Sequence, residues 1–166
     1  MDSLYEQYRQ KADQNFIAHN LTGAVEIYTK ALDLWPDDTD LYWQRGHLLY
    51  FLGKFDEALR DFTKITEYLP SCVDGYLCRI MVNHSIKNFE GMLADHDVII
   101  KLKPRKAESW RSRGETKFES GDYKGAIADF ETALRLDPAD MRTHQLRIDA
   151  KQSVLYPNRI YIARAS

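Results

Sequence analysis

Hydrophobic positions along the chain fall into pairs of helical runs that recur as a block. Over 42–52, Tyr42, Gly46, Leu49, Tyr50 and Leu52 keep helical spacing, and Gly53-Lys54 interrupts it. Ala58, Leu59, Phe62, Ile65 and Leu69 then follow at i, i+1, i+4, i+7 and i+11, one face of an amphipathic helix. Pro70 stops that helix, because proline lacks the amide hydrogen and its ring clashes with the preceding turn. The pattern returns every 34 residues, a step marked by Pro36, Pro70, Pro104 and Pro138. Ala24, Ala58, Met92 and Ala126 keep the same step, as do Tyr28, Phe62, His96 and Phe130. So do Leu21, Phe55, Phe89 and Tyr123, and so does the series Tyr8, Tyr42, Tyr76, Trp110 and His144. Each period predicts a helical hairpin, at 5–38, 39–72, 73–106 and 107–140. A single capping helix is expected at about 141–156, covering the last apolar face, with a short C-terminal tail over 158–166. The domain so defined, a single repeat domain, runs over 1–157.

Small residues locate the turns and the close approaches. Gly53 and Gly121 fall where the first helix of a hairpin ends in a left-handed residue. The first and third periods place His19-Asn20 and Lys87-Asn88 there, and Asn is expected to make the same turn. Gly46 opposite Ala58, Gly114 opposite Ala126 and Ala12 opposite Ala24 are expected to let paired helices approach closely. The third period departs, with Ile80 and Met92 in those slots and His96 replacing the aromatic, so it is expected to be the softest. A polar series is also in phase: Arg45, Arg79, Arg113 and Arg147, with Asp61, Asp95 and Asp129 following the first three at a distance of 16. A guanidinium fork binds a carboxylate with two hydrogen bonds, so these residues read as inter-helix pairs that fix register.

Taken together, the 34-residue unit, its early aromatic, its small pair, its later aromatic and its closing proline resemble the tetratricopeptide repeat family. That resemblance covers about four fifths of the chain. It implies an all-α right-handed solenoid of four 34-residue helical hairpins plus the capping helix, with a concave groove lined by the first helix of each hairpin. It further implies a protein–protein interaction role rather than catalysis.

Composition agrees with a globular chain and removes several function classes. Hydrophobic residues make up 44% and charged residues 29%, with 23 Lys+Arg against 25 Asp+Glu. A net charge of -2 does not supply the basic surface that a nucleic-acid binder needs. The cysteines, Cys72 and Cys78, are too few and too close to staple a fold and read as reduced thiols. No uninterrupted apolar run reaches the roughly 18 residues of a membrane span, and the first residues lack a secretory pattern, so a cytoplasmic location is expected. There is no Gly-rich phosphate loop, no nucleophile elbow and no i, i+4 histidine pair; no cofactor and no catalytic residue is expected.

By the family's geometry, the groove rows carry Arg9, Trp43, Leu77 and Arg111, then Gln44 and Cys78, then Asp13, His47, Met81 and Glu115, with Tyr50, His84 and Phe118 deeper. Aromatic, leucine and methionine side chains are anchors of binding energy, and Trp43, Leu77 and Met81 fit that part. The recurring acids Glu6, Asp40, Asp74 and Glu108 make the edge acidic. The expected ligand is therefore a peptide or protein segment with apolar anchors and basic residues. Some relatives clamp a chaperone's C-terminal carboxylate with basic and Asn residues. Here those slots hold Arg9, Asp13, Gln44, Asp74 and Cys78, so that clamp is not expected. A second reading is a self-assembling module joined through solenoid ends or the C-terminal tail, whose run Arg159-Ile160-Tyr161-Ile162-Ala163-Arg164 has the ligand's composition. A third is a small-molecule or metal sensor using His47, Cys78 and His84.

Overall fold

The computed structural model of the chain describes residues 2–156, and among these all regular structure is α-helix. The helices are α1 (Asp2–Ile17), α2 (Leu21–Leu34), α3 (Thr39–Phe51), α4 (Phe55–Tyr68), α5 (Val73–Ser85), α6 (Phe89–Leu102), α7 (Ala107–Glu119), α8 (Tyr123–Leu136) and α9 (Met141–Leu155). None of the described helices is long and apolar enough to cross a membrane. The expected tail lies outside the described residues. Two compact units divide after Ile86. That division falls in the turn between α5 and α6, within the third period.

In the N-terminal unit consecutive helices from α1 to α5 pack on one another. One core cluster gathers Ala12, Ala24, Tyr28, Ala31, Leu32, Leu41 and Leu48, and a second gathers Leu49, Ala58, Phe62, Ile65, Cys78 and Val82. In the C-terminal unit α6 to α9 pack in the same consecutive way, with Ala126, Phe130 and Ala150 buried beneath Phe118, Ile127 and Leu146.

Close approach depends on a different contact from the one the sequence predicts. A Cβ added at Gly46 would lie 2.8 Å from the ring of Phe62, and one at Gly114 would lie 2.6 Å from the ring of Phe130. The glycine therefore makes room for the aromatic side chain of the second helix, rather than for Ala58 or Ala126. Those alanines are themselves wholly buried, and so leave the second helix free to come close.

The turns carry a second correction. Left-handed backbone recurs every 34 residues, at His19 (φ 57°), Gly53 (φ 73°), Lys87 (φ 59°) and Gly121 (φ 87°). It is His19 and Lys87, not the asparagines, that take this conformation. Asn20 and Asn88 instead begin the next helix, each accepting a hydrogen bond at 3.1 Å from the amide of Gly23 or Gly91. Asp122 does the same for Gly125 at 2.9 Å. At the first turn His19 N–H donates to the Phe16 carbonyl and Asn20 N–H to that of Asn15, a Schellman closure repeated at Gly53-Lys54 and Gly121-Asp122. A side chain in the left-handed region costs about 1–2 kcal/mol. His19→Gly removes that cost and regains flexibility in the unfolded chain, so it should stabilise by up to about 1 kcal/mol, read as a raised melting temperature. Gly53→Ala should lower it.

The Arg/Asp series is structural where the described contacts show it. Arg45 on α3 donates from Nε and Nη2 to both carboxylate oxygens of Asp61 on α4, at 2.8 and 2.7 Å. Its Nη1 reaches Thr29 on α2 at 3.1 Å. Arg113 grips Asp129 at 2.8 and 2.6 Å and Asp97 at 2.6 Å, linking α6, α7 and α8. Asp61 and Asp129 are each 3% exposed. The hydrogen-bonded carboxylates hold both guanidinium groups firmly protonated, raising their pKa. Removing one partner strands the other charge, so Asp61→Ala or Asp129→Ala should cost roughly 3–5 kcal/mol in urea unfolding. Glu67→Ala, at an exposed, solvent-screened pair with Lys64, should cost far less.

His96 fills the aromatic slot of the third period as a buried, hydrogen-bonded imidazole, 3.1 Å from the hydroxyl of Thr116. Burial, helped by the charge of Arg113, pushes it from 6.5 down to about 4, against the smaller pull of Asp97 and Asp129. The unfolded chain then binds the proton more tightly than the folded one. Stability is complete above the unfolded value of 6.5 and falls as pH drops toward 4, by up to about 3 kcal/mol. Urea midpoints at pH 7.5 and 5 should diverge in the wild type, and less so in His96→Gln, which keeps a polar partner for Thr116.

Candidate peptide-binding face

The first-helix positions of the N-terminal unit meet at the contact of α3 with α5. Trp43 and His47 lie one turn apart on α3, with ring centroids 5.1 Å apart, and His47 also stands edge-on to Phe62 at 5.1 Å. His47 Nδ1 lies 2.8 Å from the Trp43 carbonyl oxygen. A carbonyl only accepts, so Nδ1 carries the proton and Nε2 is the acceptor. Nε2 is 3.7 Å from Cys78 Sγ on α5, placing the thiol as its donor. Tyr50 reaches Ser85 at 3.2 Å, a partner absent from the sequence candidates because Ser85 ends α5 with no apolar or charge signal. Met81, Trp43 and Tyr50 all pack against the same buried cluster of Leu49, Ala58, Phe62, Ile65, Cys78 and Val82.

Exposure separates these residues. Leu77 is 46% exposed, and Trp43, Gln44, His47, Tyr50 and Met81 are half-buried. Arg9, Asp13 and His84 are exposed, with Arg9 3.9 Å from Glu6. Cys78 is the correction: it is buried in the core cluster rather than open to a groove. Burial first, and the charge of Asp74 second, push its thiol up to about 11, so it is not a nucleophile at neutral pH. Among the described residues no three His, Cys, Asp or Glu side chains gather as metal ligands. His47 and Cys78 come together only as a hydrogen-bonded pair.

The C-terminal unit uses its candidates differently. Arg111 on α7 donates to Asp140 at 2.6 Å. Asp140 also accepts from the Thr143 amide and hydroxyl at 3.1 and 2.6 Å, capping α9. Those bonds, Thr143 first, hold the Asp140 carboxyl down at about 2. Glu115 lies 2.9 Å from Arg142 of α9. Phe118 stands edge-on to Tyr123 at 5.3 Å, over the buried Ala126 and Phe130. Arg111, Glu115 and Phe118 therefore fasten α7 to α8 and α9. The sequence did not reveal this use, because Arg111 and Asp140 are 29 residues apart and off the repeat phase of the Arg/Asp series.

Charge differs between the units. Residues 1–86 hold 13 Asp and Glu against 8 Lys and Arg, and 87–166 hold 12 against 15. The acids Glu6, Asp13, Asp40 and Asp74 of the N-terminal unit are all exposed.

Two protein-family models match the chain, both described as tetratricopeptide repeat, over residues 39–72 and 84–150. No curated protein matches by sequence. Among solved structures, a MamA protein is 18% identical, with 93% of this chain and 84% of that one covered and a TM-score of 0.75. YrrB, described as a TPR protein with an unusual peptide-binding site, is 18% identical over 92% of this chain and 78% of its own, with a TM-score of 0.67. The first TPR of Spaghetti (RPAP3), solved bound to the HSP90 peptide SRMEEVD, is 20% identical over 70% of this chain and 93% of its own, with a TM-score of 0.59. At these identities the likeness shows the fold, an all-α helical-repeat solenoid. The 34-residue phase of its turns, the glycine–aromatic contacts and both family models agree, and the chain belongs to the tetratricopeptide repeat family.

Proposed function

We propose that this protein is a non-enzymatic interaction adaptor whose N-terminal unit holds a peptide or protein segment on the face formed by α1, α3 and α5. One observation carries the reading: Leu77 stands nearly half exposed one turn before the half-buried Met81 on α5, in a unit that also leaves Trp43 and His47 of α3 half-buried and its acids Glu6, Asp13, Asp40 and Asp74 exposed. Such a face takes an apolar anchor at its centre and basic side chains around it, since complementary charge steers partners and rejects wrong ones. Peptide recognition by YrrB and by the first TPR of Spaghetti supports a peptide as the ligand class.

The same charges argue against an acidic carboxyl terminus as the ligand. Asp13 and Asp74 occupy slots where a carboxylate clamp needs Asn or a basic residue, and Cys78 is buried and uncharged. In a fluorescence-polarisation panel, peptides with one or two Leu or Phe anchors flanked by Lys and Arg should bind, more weakly as salt rises. SRMEEVD should not bind. Trp43→Ala with Leu77→Ala should weaken the basic peptides at least tenfold, and Asp74→Lys should reduce the salt dependence. Equal binding of acidic and basic peptides would overturn the charge assignment; unchanged affinity in the double variant would overturn the face.

A further inference from the structure

The outer side of α9 carries an apolar stripe without a covering element among the described residues. Met141, Ile148 and Leu155 are 76%, 44% and 69% exposed. Their spacing of seven residues brings all three onto one line of the helix, about 21 Å long at 1.5 Å per residue. The inner side of the same helix is Thr143, Ala150 and Ser153, all buried. Ile148 stands in the repeat slot held by Gly46 and Gly114, where the first helix of a hairpin receives the ring of the second. Ile148 therefore adds a branched apolar side chain to the stripe where those glycines leave a gap.

We propose that the chain's own residues 159–164 cover this stripe, running back along α9 from its C-terminal end. The helix stops at Leu155, and Tyr156 leaves the helical region (φ -130°, ψ 67°). Pro157 follows in the sequence, a residue that lacks the amide hydrogen a helix needs. The run Arg159-Ile160-Tyr161-Ile162-Ala163-Arg164, extended at about 3.3 Å per residue, spans about 20 Å, the length of the stripe. Ile160 and Ile162 alternate with a period of two and so point to one side of such a strand. The half-buried Asp149, next to Ile148, offers a carboxylate to the arginines that bracket the run. The assignment is independent of the peptide-binding face, which lies on the other unit.

The test is a double-mutant cycle on the full chain, combining Ile148→Ser on the helix with Ile160→Ser plus Ile162→Ser on the tail, read by urea unfolding. Ile148 lies outside the packed core, and circular dichroism checks that each variant folds. The tail pair should lower the midpoint in the wild-type background and leave it unchanged with Ser at 148. A coupling of about fivefold or more in the unfolding equilibrium is expected for contacting residues. Hydrogen exchange along 145–155 should quicken in the tail variant. Additive effects, or none from the tail pair, would overturn the assignment. So would sedimentation showing a dimer abolished by Ile148→Ser, which would make a second copy the occupant.

Discussion

The absence of a side chain at Gly46 and Gly114 is the constraint on which the second and fourth hairpins depend. Each allows an aromatic ring from the second helix to sit where a Cβ would otherwise be, at 2.8 and 2.6 Å. Close approach then brings a wholly buried Phe62 or Phe130 against the first helix, which concentrates apolar burial at the centre of each pair. It also sets the distance at which Arg45 and Arg113 reach across to Asp61 and Asp129 with both arms of the guanidinium. Packing and register are consequences of one geometry. The fork is satisfied because the ring has room.

The third period shows what happens when that constraint is relaxed. It has Ile80 and Met92 where the others have small residues, and a histidine in place of the ring. The structure keeps His96 buried by giving it Thr116 as a polar partner and suppressing its charge. A titratable imidazole thereby enters the core, and the boundary between the two compact units falls in the same period.

The two units spend equivalent positions on different tasks. On α3 and α5 the first-helix residues leave Leu77 open, and Trp43, Tyr50 and Met81 only half-buried against the core. On α7 the corresponding positions are tied to α9 through Asp140 and Arg142. A periodic sequence thus does not imply a periodic binding surface. A capping helix must be fastened, and the charged pair that fastens it is drawn from residues that elsewhere face outward.

Sequence alone determined the helical pairs, the stopping prolines and the family, because burial imposes a 3.6-residue rhythm within each helix and identical packing imposes a 34-residue rhythm between them. It also located the turns, although it chose Asn20 and Asn88 for the left-handed positions. Tertiary structure decided that His19 and Lys87 take them, because the asparagine side chains are worth more as caps on the next helix than as turn residues. It decided that the glycines face aromatic rings and that Cys78 is buried against His47. It decided, too, that Arg111 and Glu115 hold a helix. Each of these depends on which side chain lies across a contact between helices, at a distance no periodicity records. Periodicity reports which face is buried; only the packed neighbours settle what that face touches.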